Sequence, residues 1–155
     1  MFEFKAFRYP IVGISKVDLP VLPGNIECDS DDRPILLHFA PGHLFLPAPN
    51  ADRVGRLDML QASGVGMLFD VHGKWRAFVL KGSRADGLLS STVDLAKVLG
   101  RRQCAAVHLF DCPAILARRM DRFDVWVEAS YAGAFEEHLG DRGLGLASAR
   151  WCAQA

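Results

Sequence analysis

The run Trp75-Arg76-Ala77-Phe78-Val79-Leu80-Lys81-Gly82-Ser83-Arg84-Ala85-Asp86-Gly87-Leu88-Leu89 decides the fold class. Its first half reads as a strand from Lys74 to Leu80, with Trp75, Ala77 and Val79 on one side and Lys74 and Arg76 on the other. Gly82-Ser83 then opens a helix. Ser83 followed three residues later by Asp86 approximates a capping box. Leu88, Leu89 and, after the Ser90-Ser91-Thr92 interruption, Val93, Leu95, Val98 and Leu99 supply its buried stripe.

Upstream, Val65–Val71 reads as a partner strand joined to the first by His72-Gly73, with Val65, Met67, Phe69 and Val71 sharing one side. Before it, Asn50 caps a helix over Ala51–Ala62 whose apolar positions are Val54, Leu57, Met59 and Leu60, and Gly64 ends it. Ile35–Phe39 and His43–Leu46 form a strand pair about the turn Ala40-Pro41-Gly42. Downstream come three strands, Cys104–Phe110, Ala114–Arg118 and Phe123–Glu128, separated by Asp111-Cys112-Pro113 and Asp121-Arg122. The last alternates: Phe123, Val125 and Val127 on one face, Asp124, Trp126 and Glu128 on the other. Ser130 caps a closing helix, Tyr131–Leu139.

This order predicts an α+β fold of antiparallel sheets with packed helices built from β-β-α units. Residues 1–33 are rich in breakers (Pro10, Pro20, Pro23, Gly24) and contain the acidic turn Asp29-Ser30-Asp31-Asp32. They read as an extended arm with one short strand at Ile11–Val17. A single domain is expected over 34–140, and a loosely ordered Gly/Ala/Ser-rich tail over 141–155.

The bulk numbers bound the function. A chain of 155 residues, half hydrophobic and 23% charged, suits one packed globule. Lys plus Arg and Asp plus Glu both number 18, so the net charge is zero, and no basic stripe marks a nucleic-acid binder. No apolar run reaches the roughly 18 residues of a membrane span. The first ten residues interleave acid and base, unlike a signal peptide. A cytoplasmic chain is expected. Cys28, Cys104, Cys112 and Cys152 are scattered without a C-x-x-C pair and read as thiols packed like small hydrophobes.

No chemical constellation stands out. The five histidines, His38, His43, His72, His108 and His138, lack the spacing of a zinc site. There is no nucleophile elbow, no P-loop and no dinucleotide fingerprint. Gly64-Val65-Gly66 reads as a helix end, and Gly143-Leu144-Gly145 has no helix after it. Gly82-Ser83 offers N–H groups to an anion, although plain capping is the commoner use. Asp70, Asp94, Asp124 and Glu128 are unpaired in sequence and read as solvated or salt-bridged. Trp126, set between two acids, reads either as internal packing or as a partner contact.

Several segments taken together resemble the gamma subunit of heterotetrameric sarcosine oxidases. Leu80-Lys81-Gly82-Ser83-Arg84-Ala85-Asp86-Gly87-Leu88-Leu89 is similar to that family's L-x-G-x-x-A-x-x-L-L turn and is followed by Asp94-Leu95. Cys104-Ala105-Ala106-Val107-His108-Leu109 resembles its C-A-x-T-x-L strand, with Val107 at the threonine, and Cys112–Leu116 resembles V-P-V-L-L. Phe123–Ala132 resembles F-x-L-x-V-x-x-S-Y-A, and Leu37–Leu46 matches a strand pair loosely.

The resemblance spans about Ile35 to Leu139 and implies a fold like the folate-binding domain of aminomethyltransferases. It implies a chain without catalytic, cofactor-binding or metal residues, assembled with alpha, beta and delta subunits. Those partners would hold FAD, FMN, NAD, zinc and tetrahydrofolate and together demethylate sarcosine to glycine, releasing hydrogen peroxide with formaldehyde or methylene-tetrahydrofolate. No nucleic acid or membrane partner is expected. The aromatic residues of the arm and the outward tryptophans, Phe2, Phe4, Phe7, Trp126 and Trp151, are the expected partner contacts. The alternatives are a stand-alone folate-binding protein with Asp70 or Asp94 facing the pterin, or the same subunit in a demethylase for another N-methyl amine.

Overall fold

A computed structural model describes residues 2–6, 24–47, 58, 61–62, 64, 66–71 and 73–141. The fold is mixed α+β with antiparallel sheets, in two compact units, Met1–His72 and Gly73–Ala155.

The first unit holds a five-stranded sheet. In spatial order it runs β2 (Ile26–Cys28), β3 (Pro34–Ala40), β4 (His43–Leu46), β1 (Phe2–Ala6) and β5 (Gly66–Asp70). The expected arm therefore supplies two of its strands. β1 lies between β4 and β5, with Phe4 opposite both Leu44 and Leu68. Phe2-Glu3-Phe4-Lys5-Ala6 carries a period-2 alternation that outweighs the breakers following it. The β3–β4 hairpin turns at Pro41-Gly42 as expected. Leu36, Leu37, Leu44, Phe45 and Leu46 are all fully buried. Of the expected 51–62 helix, Asp58, Gln61 and Ala62 are described and helical, and Gly64 ends it at φ 74°. Asn50 and the Ile11–Val17 strand lie outside the described residues.

The β2–β3 connection is held by one carboxylate. Asp29 accepts from the backbone N–H groups of Asp31 and Arg33, each at 2.9 Å, and from Arg33 Nε at 2.9 Å. Arg33 also reaches Asp31 at 2.8 Å. The hydrogen bond from the Arg33 N–H is the largest influence holding the Asp29 carboxyl below its ordinary 3.8, with the Asp31 N–H and the Arg33 side chain adding to it against partial desolvation. A depressed carboxylate favours the folded turn above its ordinary value and loses that contribution as pH falls through the lower folded one. Protection of the Asp31 and Arg33 amides, taken relative to intrinsic exchange, should therefore fall as the pH drops through the lowered folded value. In Asp29→Ala protection should be low throughout. Wild-type protection that ignores pH across this range would contradict the assignment.

The second unit runs β6 (Trp75–Lys81), α1 (Arg84–Ser90), α2 (Leu95–Val98), β7 (Cys104–Leu109), β8 (Cys112–Arg118), β9 (Arg122–Glu128), a 3₁₀ turn (Ala129–Tyr131) and α3 (Ala132–Asp141). The sheet order is β6-β9-β8-β7, all antiparallel. Among the described residues the expected β5–β6 pairing is absent. β5 pairs with β1, and β6 pairs along its whole length with β9, Trp75 opposite Glu128 through Lys81 opposite Arg122. A short connection permits a hairpin without requiring one, and β6, apolar on both faces, takes the edge of the second unit's sheet with β9 as its one neighbour there. Phe78 and Leu80 join the helix-side core, while Ala77 and Val79 are buried on the other face.

That core gathers Leu88, Leu89, Leu95 and Leu99 from the first two helices, and Ala132, Phe135 and Leu139 from α3. Beneath them lie Val107, Leu109, Leu116, Phe123, Val125 and Val127 of the sheet.

Two expected caps are corrected. Ser83 already has helical backbone (φ −62°, ψ −19°) and makes no capping hydrogen bond, because the reversal into the helix happens one residue earlier, at Gly82 with φ 96°. Ser130 sits inside the 3₁₀ turn that leads into α3 and therefore does not occupy a cap position.

Candidate functional site

The described surface of the second unit is indented where α1 and α2 meet the far end of β8. α1 buries Ala85, Leu88 and Leu89 and leaves Asp86 and Ser90 exposed. Where the helix ends, Ser91 competes for its backbone, Thr92 turns to the β7–β8 turn and Asp94 starts the next helix. Ser91 Oγ donates to the Leu88 carbonyl at 2.6 Å, and Thr92 Oγ1 accepts from the Phe110 N–H at 2.8 Å. Asp94 accepts from the Lys97 N–H at 3.0 Å, capping α2. The resulting step borders an open cavity of about 760 Å³ lined by Asp86, Ser90, Thr92, Asp94, Gly100 and Arg118 among others.

The Thr92 bond also steadies the β7–β8 turn. Phe110 and Asp111 both take positive φ, 50° and 62°, the backbone of a two-residue type I′ hairpin. A phenylalanine rarely accepts this conformation. Its ring is held against Phe135 (6.0 Å between centroids) and stacked on His138 (5.2 Å).

Arg118 ends β8 on the same face as Leu116, so its guanidinium emerges from the helix-side core beside α1. Beyond it the chain turns through Arg119, Met120 and Asp121 into β9. Arg122 Nε lies 3.0 Å from one oxygen of Asp124, and Arg119 Nε 3.8 Å from the other. All three side chains are nearly inaccessible, whereas the exposed Asp121 meets Arg122 at 3.6 Å. A second cavity of about 270 Å³ abuts this turn and is lined by Gly82, Asp86, Arg118, Arg119, Asp121 and Arg122 among others. Asp86 and Arg118 thus line both cavities. Among the described residues neither side chain makes an ion pair or hydrogen bond, with the other or with any group.

The residues singled out from sequence are dispersed. Phe2 and Phe4 lie on β1 in the middle of the first unit's sheet. Trp126 is 4% exposed at the centre of β9, opposite Ala77 and Ile115. Phe7 and Trp151 lie outside the described residues. Asp70 ends β5, exposed, and Asp94 is the cap just described. His38 is buried, His43 sits edge-on to Phe39, and His108 is exposed. Among the described residues no group of three or more His, Cys, Asp and Glu could hold a metal ion. Cys104 and Cys112 are buried free thiols and Cys28 is partly buried. Burial, with the charge of Asp111 in support, pushes the Cys112 thiol above its ordinary 9.0, away from nucleophilic use.

In sequence Arg118 is only the last residue of an expected strand and Asp86 part of an expected cap. Nothing local signals that β8 carries one of them to the other. Among the described residues no helix is long and apolar enough to cross a membrane. No family model matches the chain, and no curated protein matches it.

Proposed function

We propose that this chain is a non-catalytic gamma subunit of a heterotetrameric sarcosine oxidase-type complex, with a fold of the aminomethyltransferase folate-binding type. The observation that carries the reading is where the resembling segments fall. The Leu80–Leu89 segment is the end of β6, the Gly82 turn and α1; Phe123–Ala132 is β9 and the entry to α3; Cys104–Leu116 is the β7–β8 hairpin between them. Their order and spacing in one compact unit, and not any single motif, support the resemblance. FAD, FMN, NAD, zinc and tetrahydrofolate would be held by the alpha, beta and delta subunits. The substrate would be sarcosine or another N-methyl amine, in the cytoplasm.

Co-expression with the products of neighbouring genes tests this. The chain should co-elute on size exclusion in one assembly that carries flavin absorbance and bound zinc. A soluble monomer indifferent to those partners would overturn the reading. Calorimetry on the isolated chain supplies the second arm: micromolar binding of tetrahydrofolate would replace it with a stand-alone folate-binding role. Asp94, one of the two carboxylates considered for the pterin, already has an oxygen engaged by the Lys97 N–H.

A further inference from the structure

We infer that the paired cavities between α1, α2 and the β8–β9 turn bind a free α-amino acid, seated with its carboxylate on Arg118 and its ammonium group against Asp86. This goes beyond the subunit reading and does not depend on it.

The first argument is the state of the two side chains. Arg118 and Asp86 face the same two cavities, yet among the described residues neither has an ion-pair or hydrogen-bond partner. Opposite charges that share a cleft without closing on each other leave room for a ligand bearing both charges. A guanidinium offers a planar fork that matches a carboxylate, and a carboxylate accepts the hydrogens of an ammonium group.

The second argument is the uneven distribution of charge. The larger cavity carries two carboxylates, Asp86 and Asp94, against Arg118 alone. The smaller one carries Arg118, Arg119 and Arg122 against Asp86 and Asp121. The potential therefore rises from the helix step toward the β8–β9 turn, which orients a zwitterion with its ammonium in the larger cavity and its carboxylate toward the turn. A dianion would meet Asp86 and Asp94 in the larger space, and a simple cation would meet Arg118. Because Arg119 and Arg122 are engaged with Asp124, Arg118 is the guanidinium left to receive the ligand. The larger cavity lies within the range of small-molecule sites and has room for a side chain. The exposed Ser90 hydroxyl on its wall supplies a further polar contact.

The test is an amide-shift titration of the isotope-labelled full chain with glycine and L-glutamine, beside acetate and methylammonium as single-charge fragments. Both amino acids should shift the amides of Asp86, Ser90, Gly100 and Arg118 saturably at millimolar concentration. Each fragment should bind about tenfold or more weakly, the scale of one charged hydrogen bond. Asp86→Asn and Arg118→Gln change exposed side chains and should each weaken amino-acid binding about tenfold, with only Arg118→Gln abolishing the acetate response. Absence of saturable shifts, equal responses to all four compounds, or binding indifferent to both substitutions would each overturn the inference.

Discussion

Phe135→Ala should destabilise the second unit by about 3–5 kcal/mol, among the costliest single truncations available in its core. Phe135 is fully buried on α3, in a stripe with Ala132 and Leu139 at helical spacing. Its ring lies 5.0 Å from Phe78 and 6.0 Å from Phe110 between centroids. Removing it deletes the area buried against the sheet and leaves a cavity between aromatic rings that cannot all close in. It also removes the surface on which the left-handed Phe110 rests, so the β7–β8 turn should loosen. Urea unfolding followed by tryptophan fluorescence measures the cost, and amide exchange at Phe110 and Asp111 reports the turn. Tyr131→Ala, at a residue 43% exposed just before the same helix, should stay within roughly 1 kcal/mol of wild type. Equal effects of the two substitutions would contradict the packing of α3.

The helix positions are legible because period 3.6 is a local signal: of the stripe Leu88, Leu89, Val93, Leu95, Val98 and Leu99, the four leucines join the core and the two valines pack partly buried against it. The alternation of β9 was equally local, and Phe123, Val125 and Val127 face the core as read. Strand pairing was not legible, because it is decided by distant partners. β6 finds β9 more than forty residues on, and β1 finds β5 across most of the first unit. Ser83 misled for a related reason. Cap chemistry depends on one backbone dihedral pair, and Gly82 absorbs the reversal that a capping serine would have marked. The candidate cleft was hidden altogether, since Asp86 and Arg118 are brought together only by the packing of a helix on the last residue of a strand.

Asp124→Ala should cost about 3–5 kcal/mol, by a mechanism unlike that of Phe135. In the sheet Asp124 stands between Val79 of β6 and Ala117 of β8, on the face away from the helices, and is 3% exposed. A carboxylate survives there because Arg122 and Arg119 compensate it from the turn before β9. Truncating it removes little apolar area but strands two guanidinium groups that are themselves nearly inaccessible. The cost is desolvated charge left uncompensated, so it should be recovered when the charges are removed together. Asp124→Leu combined with Arg119→Met and Arg122→Met should return to within about 1–2 kcal/mol of wild type, since replacing a buried ion cluster by apolar groups of similar size is often close to neutral. Of the two arginines, Arg122→Met should cost more than Arg119→Met, because its contact is 3.0 Å rather than 3.8 Å. Thermal unfolding of the four variants decides the matter. If Asp124→Ala is neutral, the carboxylate is not the counter-charge of this turn. If the triple variant is as unstable as the single one, the face needs the shape of Asp124 and its arginines and not their charge.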